Sequence, residues 1–220
     1  TEYRFDAGPL VRRVVEDGVP NHGWLLRVDT PLAAEKRTSV QGAAPVGWHF
    51  QGEGFAFAVD DGVRHGGKYS CRIEGRNPKP AGFAMLSQTI RADNYRGERV
   101  RLSGYLKTES LEGMATLWMR VDGENGLEGI DKTVKEAVRG TSDWQQPHIV
   151  MDVPESSQTI RFAVLVEGGG KAWVDDLKFE IVDRTVPLTN PAVKPAADQK
   201  QKPQLPRRPV NLDFEAVSKK

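Results

Sequence analysis

Apolar and polar positions alternate along much of the chain between residues 45 and 183. In "ATLWMRVDG", for example, Ala115, Leu117, Met119 and Val121 occupy every second position, the period of a β-strand with one buried face. Short runs of this kind recur between Gly, Asp or Asn residues, which is typical of an antiparallel β-sandwich or barrel. The predicted strands lie near "GFAFAVD", "KYSCRIEG", "GFAMLSQTI", "RVRLSGYLKT", "ATLWMRVDG", "QQPHIVMDV", "TIRFAVLVEG" and "AWVDDLKFEIV".

The remaining segments follow other patterns. Residues 1–44 are predicted to form an N-terminal extension with a short helix, from apolar residues at helical spacing after Pro9, and a strand at "GWLLRVD". Within the β-rich region, "IDKTVKEAVRG" is predicted to be a long loop with a short helix at most. Residues 184–209 hold six prolines and few large apolar groups, which predicts an extended linker. Residues 210–220 contain a strand-like segment, "NLDFE".

Composition and charge exclude several classes of function. The chain of 220 residues carries 31 basic and 30 acidic residues, a net charge of +1, so we expect no nucleic acid and no anionic membrane as partner. It contains no run of about 18 apolar residues, so no membrane span is predicted. The single cysteine, Cys71, cannot form an internal disulfide, and its place beside Tyr69 and Ile73 predicts a buried, inert thiol.

Catalytic signatures are missing from the sequence. There is no G-x-S-x-G elbow, no H-E-x-x-H pair, no phosphate-binding loop and no dinucleotide fingerprint. The four histidines have no metal-ligand spacing, and His65 is interpreted as part of a surface turn. No two carboxylates stand out as the acid and base of a glycosidase. The sequence therefore predicts a protein that is not an enzyme.

Three short motifs, Gly47–Trp48, His65–Ser70 and Trp173–Asp176, follow one another over about 140 residues. They resemble the motifs of the galactose-binding-like jelly roll, the fold of many bacterial carbohydrate-binding modules. In that family an Asn-x-x-Phe-Glu strand is followed by Gly-Trp, by His-x-Gly-Lys-x-Ser and by a closing Trp-x-Asp-Asp strand. The resemblance implies an all-β fold, an antiparallel β-sandwich (jelly roll) at 45–183, with an N-terminal extension and a Pro-rich C-terminal tail. "DAGPLVRRVVEDGVPNHGWLL" resembles the end of another β-sandwich module.

The opening strand of this family is displaced. "RTSVQGAAPVGW" stands where Asn-x-x-Phe-Glu is expected, and the motif occurs instead at Asn211–Glu215. The C-terminal segment therefore begins a second, truncated module, folds back to supply the missing strand, or supplies it to a neighbouring chain in a homodimer. A flexible linker of about 26 residues averages roughly 25–30 Å end to end, so it can reach. The interpretation favoured from the sequence is truncation, because Pro-rich linkers usually separate modules.

Asp175 points toward a face of large apolar groups in "AWVDDLKFEIV", which is costly for an isolated carboxylate. Either the strand has a bulge or a partner compensates the charge, and calcium is a natural partner for carboxylate oxygens. The family resemblance implies a structural calcium held by Asp175 or Asp176, by backbone groups near Lys68 and by Glu215. An aspartate that accepts backbone hydrogen bonds is the alternative.

Glycan binding requires exposed aromatic faces with polar groups around them. Trp48, Trp144 and Trp173 are interpreted as core residues. Trp118 lies on the polar face of its strand, and if the strand of Tyr105 is a neighbour, one surface would hold the predicted binding patch: Tyr105, Trp118, Arg101 and Arg120. The alternative is that Trp118 packs under a loop or the N-terminal segment. The basic groups would favour an acidic or uronic sugar.

These observations predict a non-catalytic, carbohydrate-binding-like accessory module of an exported bacterial protein. Its partner would be a polysaccharide or glycan, and its location secreted, periplasmic or at the cell surface. The alternative from another class is a structural or protein-interaction domain of a larger modular protein, with strand exchange through the C-terminal segment. A hydrolase with its site on the loops is a third interpretation, which turnover assays on polysaccharides would test.

Overall fold

The computed structural model of the chain describes residues 40–41, 45–76, 80, 82–190 and 205–216. All of them belong to one compact unit, Arg37–Lys220. The predicted N-terminal helix and strand, and the middle of the predicted linker, lie outside the described residues. Within them the secondary structure is entirely β, with eleven strands: β1 Val40–Gln41, β2 His49–Gln51, β3 Phe55–Asp60, β4 Ser70–Gly75, β5 Phe83–Arg91, β6 Arg99–Gly123, β7 Gly126–Lys132, β8 Val138–Gln145, β9 His148–Asp152, β10 Ser157–Glu167 and β11 Gly170–Val182.

The strands form the two layers of an antiparallel β-sandwich, as the sequence predicted. The first layer has the order β1-β3-β4-β11 and ends on the first half of β6, which also pairs with β9. The second layer has the order β2-β5-β10 and ends on the second half of β6, which also pairs with β7. β6 therefore belongs to both layers, and the bend between its halves is the structural link that folds one sheet over the other.

The bend of β6 has an identifiable local cause. Ser110 adopts a φ of 50°, in the left-handed region that non-glycine residues rarely occupy. Beside it, a Cβ atom added at Gly113 would lie 2.1 Å from the carbonyl oxygen of Glu167, so only glycine fits that close approach. Strand β8 runs along the bend, with register shifts between its pairs from Leu106 to Ala115.

One apolar core fills the space between the layers. Leu102 and Leu106 come from the first half of β6 and Leu117 and Met119 from its second half, and all four are fully buried in the same cluster. Residues that alternate with them therefore point to the outer faces of the sandwich. A small second cluster lies on the outer face of the second layer, where Trp118 packs against Met85, Ala163 and Leu165.

Residues 205–216, which we call the C-terminal strap, pack against the same chain. Phe214 is fully buried, and its ring centroid lies 5.3 Å from that of Trp48. The indole N–H of Trp48 donates to the carbonyl oxygen of Asn211 at 2.9 Å. Of the three arrangements that the sequence left open, the strap adopts the one in which it folds back on its own chain. The interpretation favoured from the sequence, truncation, did not anticipate this packing.

Two local predictions were wrong. The "NLDFE" segment is not a strand: it forms a turn, with positive φ at Asn211 (50°) and Phe214 (59°), far from the extended values of a strand. "IDKTVKEAVRG" contains no helix but holds the end of β7, a short turn and the start of β8. The predicted linker also packs in part, since Thr189 exchanges hydrogen bonds with Val150 and the backbone N–H of Arg91 donates to the carbonyl of Pro206.

Candidate ligand-binding groove

The loop of residues 61–69, between β3 and β4, is shaped at its start by a buried carboxylate. Asp60 is 1% exposed, and its Oδ1 accepts the backbone N–H groups of Gly62 and Val63 at 2.9 and 3.1 Å. Its Oδ2 accepts the indole N–H of Trp173 at 3.0 Å. Burial alone would raise the pKa of Asp60, but these donors and the nearby Arg72 guanidinium lower it below its usual value. The ionised carboxylate therefore organises the first half of the loop.

A second buried carboxylate holds the middle of the 61–69 loop. Asp175 accepts the backbone N–H groups of His65 and Gly66 through Oδ2, at 2.7 and 3.1 Å, and that of Asp176 through Oδ1, at 2.8 Å. The register of β11 shifts between Asp175 and Lys178, so the strand bulges here. Burial raises the pKa of Asp175, although the three amide donors oppose the rise. The bulge is therefore present, and the carboxylate accepts backbone hydrogen bonds, the arrangement predicted as the alternative to calcium.

The end of the 61–69 loop is held by the C-terminal strap. Glu215 Oε1 accepts the backbone N–H groups of Lys68 and Tyr69, at 2.5 and 2.8 Å. Gly67 stands at the point of contact, with a φ of +52°, and a Cβ atom there would lie 2.3 Å from that same Oε1. A side chain at position 67 would therefore displace the carboxylate of Glu215.

The outer side of this loop forms one wall of an open groove of about 630 Å³. The wall consists of Gly62–Gly67, and Lys107 of β6 and Trp144 of β8 complete the lining. The Lys107 Nζ lies 2.7 Å from Asp143 Oδ1, so an ion pair stands beside the aromatic ring. The groove thus combines backbone groups, an ammonium, a carboxylate and an indole.

Three aromatic rings meet beside the groove. The imidazole of His65 stacks on the ring of Tyr105, with centroids 3.5 Å apart and planes at 13°. The indole of Trp144 meets the same imidazole nearly edge-on, at 5.7 Å and 76°. The Nδ1 atom of His65 lies 2.7 Å from Asp176 Oδ2, which fixes the plane of the imidazole. The result is an aromatic platform with polar groups around it.

The predicted binding patch is not assembled as one surface. Tyr105 and Arg101 lie on the half of β6 that pairs with β11, whereas Trp118 and Arg120 lie on the half that pairs with β10. The two pairs therefore face outward from different layers. Arg101 forms an ion pair with Glu180, and Arg120 forms one with Asp122. The sequence prediction was conditional on two neighbouring strands, whereas both segments belong to one bent strand.

Two residues of the groove differ in how well the sequence placed them. Trp144 was interpreted as core, but it is only partly buried and lines the groove. His65 was interpreted as part of a surface turn and does lie exposed in the 61–69 loop, where it is also the centre of the aromatic platform. A signal for Trp144 was present: in "TSDWQQ" the tryptophan has polar neighbours on both sides, unlike the tryptophans of the core strands.

The four positions predicted to hold calcium do converge on the 61–69 loop. Their oxygens, however, accept N–H groups: Asp175 and Glu215 accept from four loop amides, and Asp176 Oδ2 accepts from Nδ1 of His65. In the part of the chain that the structure describes, no three acidic, histidine or cysteine side chains converge as a metal site. This arrangement does not fit calcium unless the hydrogen bonds are exchanged for metal ligation, and the calcium site stays a prediction.

Comparison with known proteins gives one relative in sequence. No protein-family model matches the chain. Over 189 residues the chain is 34% identical to a Bacillus subtilis (strain 168) protein named the uncharacterized HTH-type transcriptional regulator YbfP. The match covers 84% of this chain and 61% of that protein, so the chain spans about three fifths of the length of this relative.

Solved structures are similar in fold at low sequence identity. The enzymatically active domain of bacteriophage CBA120 tailspike protein 4 has a TM-score of 0.50 and 13% identity, covering 62% of this chain and 20% of that one. A cyclase from Fischerella sp. has a TM-score of 0.50 and 9% identity, covering 69% and 90%. Carbohydrate-binding modules are also among the similar structures, including the xylan-binding CBM22-1 domain of Paenibacillus barcinonensis Xyn10C, with a TM-score of 0.46, 19% identity and coverage of 66% and 91%. These likenesses concern the β-sandwich fold, which hosts both catalytic and non-catalytic functions.

Proposed function

We propose that this chain is a non-catalytic, carbohydrate-binding-like module that binds a glycan in the groove of Trp144 and the 61–69 loop. The observation that carries the proposal is the aromatic platform of His65, Tyr105 and Trp144 beside a charged, open groove. The apolar C–H face of a sugar ring packs on an aromatic ring, and its hydroxyl groups need polar partners at the rim. This groove offers both within one surface.

The polar groups around the platform suit hydroxyl recognition without turnover. Asp143 and Asp176 offer carboxylate acceptors, while the ammonium of Lys107 offers donors. Both carboxylates are already engaged, Asp143 by Lys107 and Asp176 by His65, as expected of groups that orient a ligand. Lys107 and Arg64 would favour a uronic sugar, whose carboxylate an ammonium or guanidinium can bind.

The test is a titration of the purified chain with soluble oligosaccharides, followed by calorimetry. Wild type should bind at least one neutral or uronic hexasaccharide and release no product. The variant Trp144→Ala should lose about 0.5–1.5 kcal/mol of binding free energy, the usual contribution of an aromatic contact. The matched control is Trp118→Ala, on the other layer, which should bind as wild type does. A loss of affinity in Trp118→Ala with none in Trp144→Ala would instead favour a site on the sheet face predicted from the sequence.

A structural or protein-interaction domain is the second candidate, and the relative in Bacillus subtilis favours it. A chain similar to most of a transcriptional regulator is expected to work inside a longer protein, either by sensing a ligand or by joining subunits. Exchange of the C-terminal strap between two copies would give a homodimer. Light scattering at several concentrations tests this: a dimer that is lost when residues 205–216 are removed supports the second candidate.

The two candidates also differ in where they place the protein. A glycan-binding accessory module is expected to be secreted, periplasmic or at the cell surface, whereas a regulator similar to the Bacillus protein would remain inside the cell. Among the described residues, no helix is long and apolar enough to cross a membrane. Fractionation of the native host with an antibody against the chain distinguishes the two locations.

A further inference from the structure

The C-terminal strap contacts two parts of the fold at once. On one side, the fully buried Phe214 and the bond from Trp48 to Asn211 anchor it in the core. Gln88 adds two hydrogen bonds with the backbone of Val210, donating at 3.0 Å and accepting at 2.8 Å. On the other side, the carboxylate of Glu215 reaches the end of the groove loop. The strap therefore connects the hydrophobic core to the wall of the groove.

The 61–69 loop depends on three carboxylates for its shape, and each holds two of its backbone amides. Asp60 holds residues 62 and 63, Asp175 holds residues 65 and 66, and Glu215 holds residues 68 and 69. The first two carboxylates belong to strands β3 and β11, which lie on either side of β4 in the sheet. Glu215 differs, because it belongs to the strap and lies 147 residues from Lys68 along the chain.

The loop is built to accept this distant carboxylate. Gly66 and Gly67 leave no Cβ atoms between the backbone and the acidic groups beneath it: a Cβ at Gly66 would lie 2.5 Å from Asp176 Oδ2, and one at Gly67 would lie 2.3 Å from Glu215 Oε1. Asp176, the neighbour of Gly66, is also the partner of His65 in the aromatic platform. Gly66 and Gly67 thus join the Glu215 contact at one end of the loop to His65, whose ring lies beside the groove.

We propose that Glu215 is a positioning residue for the groove, and that docking of the C-terminal strap and occupation of the groove stabilise each other. The second half of this proposal rests on the proposed glycan-binding function. A ligand that contacts Gly62–Gly67 binds best when the loop is held in one conformation, and the held loop retains the strap. By thermodynamic linkage, the factor by which the strap strengthens ligand binding equals the factor by which the ligand strengthens strap docking.

The first experiment measures the loop without any ligand. Backbone amide exchange is followed by NMR in wild type, Glu215→Ala, Glu215→Gln and the charge-matched control Asp213→Asn, whose side chain is exposed on the same strap. In Glu215→Ala, the amides of Lys68 and Tyr69 should exchange at least about tenfold faster, since their acceptor is gone. Glu215→Gln should retain most of the protection, because its amide oxygen still accepts both N–H groups. Unchanged protection in Glu215→Ala overturns the positioning role.

The second experiment measures the coupling, with xylohexaose and hexagalacturonate as the neutral and uronic probes. The probe that binds wild type should bind Glu215→Ala about tenfold more weakly, while Asp213→Asn should bind as wild type does. The bound probe should in turn slow the exchange of the Val210 and Phe214 amides in the strap. Equal affinity in wild type and Glu215→Ala overturns the coupling and leaves glycan binding intact. If neither probe binds wild type, the glycan-binding proposal and its coupling fail together, and the loop measurement alone decides the positioning role.

Discussion

Replacement of Phe214 by alanine should destabilise the protein strongly, although Phe214 lies in a segment without regular secondary structure. Its ring is 0% exposed and packs against Trp48 in the main core. Truncation of a buried phenylalanine to alanine costs about 3–5 kcal/mol. Because the strap can also detach on its own, the loss cannot exceed the free energy of strap docking, and we expect about 3 kcal/mol. For a chain of this size that lowers the melting temperature by about 6–12 °C.

The assay is urea denaturation followed by tryptophan fluorescence, with thermal unfolding alongside. Val210→Ala is the matched control, since Val210 belongs to the same strap but is 40% exposed, and it should change the free energy of unfolding by less than about 1 kcal/mol. A chain ending at residue 190 completes the set and should be at least as unstable as Phe214→Ala. A loss below about 1 kcal/mol for Phe214→Ala would refute the packing of the strap in this core.

Three further predictions concern buried or constrained positions. Asp60→Asn should lower the free energy of unfolding by about 2 kcal/mol at pH 7, because hydrogen bonds to a charged group are lost. Since the folded pKa of Asp60 lies below its usual 3.8, the stability that the carboxylate contributes is present above pH 3.8 and is lost as the pH falls further. The acid-unfolding curves of wild type and Asp60→Asn should therefore converge below that pH. Gly67→Ala should destabilise the protein more than Gly140→Ala. Gly140 also has a positive φ, +64°, but open space around it, so its variant measures backbone strain alone. The difference between the two urea midpoints then measures the clash with Glu215. Cys71, whose pKa is raised by complete burial, should react with a thiol reagent only at the rate of unfolding; fast reaction in native buffer would contradict its place in the core.

Much of the fold was predictable because burial imposes a period of two on a strand. The segment around Phe162 and Val164 shows this, and the structure places β10 where the apolar run predicted a strand. The bend of β6 was not predictable in the same way. No proline or paired glycine marks it, and the left-handed residue is Ser110, an ordinary residue in sequence terms. Two strands were therefore expected where one bent strand crosses both layers.

The candidate site was less predictable than the fold, because it depends on contacts between distant segments. The alternation of apolar and polar residues placed Tyr105 on an outer face of the sandwich, but such a pattern does not indicate which residue covers that face. The answer, His65, comes from a loop 40 positions earlier and stacks on the ring. The motif carried by Glu215 was recognised from the family resemblance, whereas its acceptor role toward the Lys68 and Tyr69 amides depends on where the strap folds.

The distance in sequence between the groove loop and Glu215 has a consequence during synthesis. Lys68 leaves the ribosome 147 residues before Glu215 does, which at typical translation speeds is about 7–30 s. In the last part of that interval, once β11 has emerged to Val182, the nascent chain holds both layers of the sandwich but no third carboxylate for the loop. The groove therefore reaches its final shape as a late, post-assembly step, and a nascent β-sandwich that is otherwise folded should be a poor ligand binder until the strap has emerged.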